Sequence, residues 1–307
     1  MTTPQWVHKK QSLFFGIGRK VRSLSLRIVS LDMPFPEMTT DLSDPPVTLE
    51  TLAGVDAAVM DGHPYSLLPP PISLGHGLIR YVAYAETMFL IDLRGTMDDF
   101  WQRIPAKPRK NMRAERRKLT DFSQGTLECR AYSTADEVRE FHRSAAAISA
   151  RTYQSRIGVG YAGGAVQEEA LMEQARTGQV RGYLLHSGGT PIAFAFCRIQ
   201  GRTIRYVRAG YDPDYERWSP GSVLWLMMFE QLFAERRFDW ADLEFGSWYE
   251  YKQRYATHKV PFVQLWFFRA TAKNLAIVVA HRANTVLQKA AARLKAWLKE
   301  RRNSGNS

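Results

Sequence analysis

Four stretches of this 307-residue chain carry groups able to do chemistry. The first is Arg217-Trp-Ser-Pro-Gly221-Ser222, immediately ahead of the apolar run Val223 to Phe233. A glycine-containing turn that opens a helix offers N–H groups without intrahelical partners and the positive end of the helix dipole, so it suits an anion. Gly221 permits close backbone approach, Ser219 and Ser222 bring hydroxyls, and Arg217 is near enough in sequence to neutralise a phosphate. Pro220 removes one N–H from the set. The same residues also read as an ordinary turn before a helix.

The second stretch is Tyr249-Glu250-Tyr251-Lys252, which follows the strand-like Trp240 to Phe245. Two tyrosine hydroxyls with an ordinary pKa of about 10 can protonate a departing anion, and Glu250 or Glu244 can take a proton. Lys252 can hold an anion or pair with one of the acids. Each is also an ordinary surface residue type. The third stretch runs from Lys107 to Leu119 and reads as a helix after Pro108. Lys110, Arg113 and Arg117 share one face at helical spacing, with Arg109, Arg116 and Lys118 around the rest. It is either a solvated linker or a helix facing a phosphate or polyanionic substrate, with Arg109, Lys110 and Arg113 as the contacts. The fourth is the C-terminal segment from Lys273 to Arg302. There Leu287, Ala291, Leu294 and Leu298 form a stripe with Trp297 beside it, flanked by Lys289, Arg293, Lys295 and Arg302. A basic amphipathic helix of this kind either packs on its own protein or lies on a membrane surface or partner.

Other chemistries find little support. The seven histidines (8, 63, 76, 142, 186, 258 and 281) lack metal-ligand spacing, so no metal is expected. Cys129 and Cys197 make neither a disulfide framework nor a zinc cluster, and Cys197 reads as a buried thiol in the run Pro191 to Cys197. No Gly-x-Ser-x-Gly elbow frames a nucleophile. Gly158-Val-Gly160-Tyr-Ala-Gly163 follows a helix rather than a strand, which sets aside a dinucleotide loop. With 45% apolar residues the chain can bury a core, and its net charge of +12 makes an anionic partner plausible. There is no signal-peptide profile and no apolar run near the ~20 residues of a membrane span, so a cytoplasmic protein is expected.

The elements that must position these groups are clearest after residue 126. Thr126 to Ala131 reads as a strand. Thr134-Ala-Asp-Glu137 caps a helix to about Ser149, and Gly158 to Gly164 is a loop. A second helix follows from about Val166 to Arg176. Val180 to His186, Pro191 to Ile199 and Thr203 to Ala209 read as an antiparallel meander joined by tight turns. A loop from Asp212 to Pro220 leads to a helix from Ser222 to about Arg236. Then come the strand Trp240 to Phe245, a short helix Tyr249 to Tyr255, and the strand Phe262 to Phe268. The first 95 residues are harder to read. Leu24 to Leu31, Leu78 to Ala83 and Met88 to Leu93 suggest strands, Val47 to Met60 suggests a helix, and Thr96-Met-Asp-Asp99 caps a helix through Ile104.

This order resembles the acyl-CoA N-acyltransferase (GNAT) superfamily, and more closely its CelD-like or FemAB-like branch, often found with polysaccharide-synthesis genes. The carrying residues are Gly189-Thr-Pro-Ile-Ala-Phe194, Gly210-Tyr-Asp-Pro-Asp-Tyr215, Ser219-Pro-Gly-Ser-Val-Leu224 and Gly246-Ser-Trp-Tyr-Glu-Tyr-Lys252. Phe100-Trp101 followed by Arg109-Lys-Asn-Met-Arg113 also fits that branch. The resemblance implies an α/β fold with a mixed sheet, in tandem with a reduced GNAT-like N-terminal half over residues 1–105. A basic connecting helix would occupy 106–125, the acetyltransferase domain 126–270, and the basic helix 271–307. It further implies acetyl-CoA or another acyl-CoA as co-substrate. The pyrophosphate would lie on Arg217, Ser219, Gly221 and Ser222, and the pantetheine arm along the backbone at Val207 and Ala209. A tyrosine such as Tyr251, first choice over Tyr249, would be the general acid, with Glu250 and Lys252 beside it. The chain departs from the family's usual Arg/Gln-x-x-Gly-x-Gly/Ala loop by carrying Pro220 and Ser222. The acceptor would be a small molecule or saccharide. Fem-type relatives use aminoacyl-tRNA instead, so tRNA is a partner only in that alternative. A catalytically silent GNAT-like scaffold at the inner membrane face is the third reading.

Overall fold

A computed structural model of the protein describes residues 6–17, 20–32, 47–152, 161, 163–245 and 250–304. The chain forms two compact units, residues 1–86 with 261–307 and residues 87–260.

In the first unit, β1 (Val7–Ile17) pairs antiparallel with β2 (Lys20–Asp32), and β2 pairs parallel with β3 (Ala57–Pro64). β11 (His258–Arg269) lies antiparallel to β3, with Phe262 opposite Pro64 and Phe267 opposite Ala58. The short β4 (Ile72–Gly75) pairs with the start of β5 (Leu78–Asp92). Two corrections to the sequence reading fall here. Residues 47–56 are turns, and Ala57 to Met60 belongs to β3 rather than to a helix. All four of those side chains are buried, as a strand covered on both faces requires, and such a run has no helical period to lose. The expected strands Leu78 to Ala83 and Met88 to Leu93 are one continuous strand of 15 residues. Nothing between them breaks an extended chain, and Tyr84 there donates to Asp61 Oδ1 at 2.9 Å.

The second unit begins with the end of β5. Thr96 and Asp99 form a capping box that opens α1 (Met97–Arg103), as the sequence indicates. α2 (Ala106–Phe122) is the basic helix, and β6 (Leu127–Tyr132) follows it. α3 (Ala135–Ala150) starts at a second capping box, Thr134 with Glu137, and α4 is Ala165–Arg176. Then β7 (Val180–Ser187), β8 (Thr190–Gln200) and β9 (Thr203–Tyr211) form the expected antiparallel meander, with β6 on the far side of β7. A 3-10 helix (Pro213–Trp218) occupies the next loop, and α5 (Pro220–Glu235) leads to β10 (Trp240–Phe245) and α6 (Glu250–Tyr255). β10 is parallel to β9 on one side and antiparallel to the end of β5 on the other.

Each face of this sheet buries its own core. Phe141, Tyr161, Phe194 and Phe196 pack under α3 and α4 on one face. Val223, Trp225, Phe229 and Phe233 of α5 pack with Phe100 and Leu119 on the other. Gly182 shows how closely α3 approaches: a Cβ built there would stand 2.3 Å from Cγ of Phe141. Gly182→Ala is therefore expected to destabilise the unit by about 1–3 kcal/mol through overpacking, read as a lower urea midpoint with an unchanged slope.

The long α7 (Ala272–Ser304) belongs to the first unit. No helix among the described residues is long and apolar enough to cross a membrane.

Candidate active site

The site is built where β9 and β10 part. Their parallel pairing covers Thr203, Ile204 and Arg205 opposite Trp240, Ala241 and Asp242, and ends there. Beyond it, β9 stays paired with β8 through Tyr211. β10 bends away through an irregularity between Asp242 and Phe245, where Glu244 holds a left-handed backbone at φ 60°. Beyond Arg205, no described strand pairs with the β9 edge that faces β10, and the two strands border a cleft there. Val207 lies in that stretch at a bulge in the β8–β9 ladder, between Tyr206 opposite Cys197 and Arg208 opposite Phe196. Ala209, opposite Ala195, is half-buried like Val207.

The chain then turns through the 3-10 helix into α5. Arg151 clamps this turn: it pairs with Asp212, whose N–H bonds Ile192 O at 2.8 Å, and its Nη2 reaches Asp214 Oδ2 at 2.6 Å. Ser219 adopts a left-handed conformation (φ 52°, ψ 49°) at the N-cap of α5 and makes no side-chain cap bond. Pro220 supplies no N–H, so the Gly221 and Ser222 N–H groups are the ones left open at this helix end. The fold does not require glycine at 221. Among the described residues, a Cβ there would meet only Tyr211 Cδ1, at an ordinary 3.5 Å. A close-approaching ligand would require it. Arg217 is exposed, with its guanidinium 3.8 Å from the Trp218 ring centroid, and Trp218 in turn packs on Phe122 of α2.

Where the strands part, the structure gathers a charged cluster that the sequence only partly indicates. Asp242 is buried and accepts from Arg205 Nε at 2.7 Å and from the Glu244 N–H at 2.7 Å. Burial raises the Glu244 carboxyl above the usual carboxylate range, while the Lys252 charge beside it pulls the other way. The Arg205 and Arg208 charges of β9 pull in the same direction as Lys252. Lys252 is itself buried, and desolvation lowers its ammonium despite the Glu244 and Asp242 carboxylates. Arg205 and Asp242 carried no expectation from sequence. Their signal lies in Trp240-Ala-Asp-Leu-Glu-Phe245, where two acids recur at period two on a strand whose other face is apolar.

Of the other expected residues, Tyr249 lies outside the described residues. Glu250 and Tyr251 fall on the first turn of α6, and their side chains are likewise undescribed. On α2, the three residues expected to contact substrate diverge. Arg109 turns its Nη1 to the Trp101 carbonyl at 3.3 Å, and Lys110 is exposed. Arg113 places its guanidinium 5.2 Å from the Trp101 ring centroid. Arg113, Arg116 and Arg117 line a cavity of about 390 Å³ with Trp101, Leu226 and Glu230, and Thr120 and Asp121 complete its rim. Glu230 already pairs with Arg116 at 2.6 Å. Among the described residues, no group of three or more His, Cys, Asp or Glu could hold a metal. Both cysteines are buried, and burial pushes each thiol up to about 12.

Residues 106–253 match the family model described as "Acetyltransferase (GNAT) domain", a span just under half of the chain. No curated protein matches the sequence. Among solved structures, FemX superposes with a TM-score of 0.55 at 9% identity, over 90% of this chain and 90% of FemX. The C-terminal domain of an Agrobacterium fabrum protein assigned as a lysylphosphatidylglycerol synthetase gives a TM-score of 0.53 at 13% identity, covering 91% of this chain and 88% of that one. L-PGS from Bacillus licheniformis gives 0.50 at 14%, covering 88% and 85%. Identities this low speak to the fold alone. The mixed sheet with its parting strands is the GNAT fold, and residues 106–253 are similar to the acetyltransferase domain of the GNAT superfamily, whose chemistry is acyl transfer.

Proposed function

We propose that this domain moves an acyl group from acyl-CoA to an amine or hydroxyl of a small-molecule or saccharide acceptor. One observation carries the reading: the β9–β10 cleft opens beside a helix N-terminus whose glycine the fold itself does not need. The residues present fit the co-substrate. Gly221 and Ser222 N–H groups, the Ser222 hydroxyl and Arg217 would hold the pyrophosphate, with Ser219 shaping the turn. The backbone at Val207 and Ala209 would receive the pantetheine arm. Bound acyl-CoA supplies an activated thioester.

The chain's own groups then manage protons. Glu244 takes the proton the acceptor nitrogen or oxygen loses as it bonds to the acyl carbon. As the carbon–sulfur bond breaks, Tyr251 returns a proton to the leaving sulfur, with Tyr249 and Glu250 as neighbours on the same segment. Lys252 keeps Glu244 ionised enough to act. We place residues 1–105 as a reduced GNAT-like half, and the protein in the cytoplasm. The CelD-like branch and a role in polysaccharide or cell-envelope synthesis complete this proposal. Calorimetric titration with acetyl-CoA tests it, since absence of binding to the wild-type chain would end it.

The α2 groove favours an anionic group on the acceptor. Changing Arg113 and Arg117 together to Gln is expected to raise KM for an anionic acceptor about tenfold or more. KM for acetyl-CoA should stay constant, because each charge-assisted bond contributes ~1.5–3 kcal/mol. Equal kinetics in wild type and variant would mark α2 as a solvated face. The exposed cations of α2 also keep a Fem-like, tRNA-dependent aminoacyl transfer in view. Salt-sensitive retention of charged tRNA without acetyl-CoA affinity would decide for it.

A further inference from the structure

The long C-terminal helix has two faces with different fates. On one, Val278 is fully buried, His281 Nδ1 meets the Tyr81 hydroxyl at 2.6 Å, and Asn284 Oδ1 accepts from the Gly16 N–H at 2.9 Å. Gln288 Nε2 then donates to Gly16 O at 2.5 Å. These positions recur every three or four residues and anchor α7 to β1 and β5 of its own unit. Past Gln288 the packing ends. Every described side chain from Lys289 to Leu298 is exposed except the half-buried Ala291. The stripe expected either to pack or to face outward faces outward.

That outward stripe is strongly apolar. Val279, Val286, Leu287, Leu294, Trp297 and Leu298 are exposed by 47–57% and recur at intervals of three, four and seven residues, one side of the cylinder. Arg282, Lys289 and Arg293 border it on one flank and Lys295 on the other, and Arg301 lies 4.2 Å from the Trp297 ring centroid. The segment from Lys273 to Arg302 holds eight Lys or Arg and one acid, Glu300. An apolar stripe of this length left in water is an interaction surface. Its cationic border selects an anionic partner that is itself apolar one layer down, which is a bilayer rather than nucleic acid.

We infer that α7 is an interfacial anchor that seats the first unit on an anionic lipid surface, Trp297 and the leucines entering the headgroup boundary and the flanking cations resting on lipid phosphates. This rests on none of the acyl-transfer reasoning. Co-sedimentation of the full chain with vesicles tests it. Vesicles of phosphatidylglycerol and phosphatidylcholine should retain the protein at low salt, and pure phosphatidylcholine should not. Reversing Lys289, Arg293 and Lys295 to Glu should weaken retention on the order of a hundredfold or more, given about fivefold per cation near such a surface. A second variant, Leu294→Ser with Trp297→Ser, should also lose binding while leaving the circular-dichroism melt of the whole protein unchanged, because both side chains are exposed and Trp297 meets only Arg301 of its own helix among the described residues. The inference is overturned by equal retention on neutral vesicles, or by absence of retention at low salt. It is likewise overturned by a solution dimer, seen by analytical ultracentrifugation, that the same two serine substitutions dissolve.

Discussion

Gly221→Val is expected to fold normally and to lose most of its affinity for acetyl-CoA. The Gly221 backbone sits in the first turn of α5, and among the described residues a Cβ there contacts only Tyr211, at 3.5 Å, so the protein can accept a side chain. Helix propensity even favours valine over glycine. A phosphate drawn to the two available N–H groups must come within hydrogen-bond distance of the backbone, and two γ-methyl groups fill that space. Each charge-assisted bond lost is worth ~1.5–3 kcal/mol, or roughly ten- to a hundredfold in Kd. Calorimetry gives the affinity and thermal melting the stability. Gly221→Ala should fall between wild type and valine. A valine variant that binds acetyl-CoA within about twofold of wild type would make the loop a turn and nothing more.

This loop was legible in the sequence because its signals are local. Ser-Pro-Gly before an apolar run announces a helix start, and the tight-turn residues at Ser187 to Gly189 and Gln200 to Arg202 bound the strands ahead of it. The same holds for the meander and for both capping boxes. The first unit was not legible in that way. β1 carries Lys9 and Lys10 among its apolar residues, and Ala57 to Met60 is apolar on both faces, so neither shows a clean period. What orders them is pairing with residues far along the chain, as where β3 meets β11. The charged cluster at the parting strands divides the same way. Lys252 was expected either to hold an anion or to pair with an acid, but the burial of Asp242 and its bond to Arg205 arise only when β9 and β10 align for three residues and then part.

The Glu244 carboxyl should prove the proton acceptor, and Glu244→Gln is expected to lower kcat about 10²–10⁴-fold while sparing acetyl-CoA affinity, the usual range for a general base. Its pKa is raised by burial, so the acid must lose its proton before it can act. Activity at limiting substrate should therefore rise with pH through a value above 4.5, and this limb should vanish in the glutamine variant. Lys252→Met removes the charge that opposes burial and should shift the limb further toward neutral pH. Stability runs in the opposite sense. The folded state holds this proton more tightly than the unfolded chain, so stability is lost as pH rises from 4.5 through the raised value. At neutral pH, Glu244→Gln should then be at least as stable as wild type, which separates lost chemistry from lost folding. Tyr251→Phe complements it: if that hydroxyl protonates the departing sulfur, turnover falls over the same range while the acid limb is retained. A Glu244→Gln enzyme that keeps the wild-type limb would remove Glu244 from the reaction and leave it an acid that the fold buries beside Lys252.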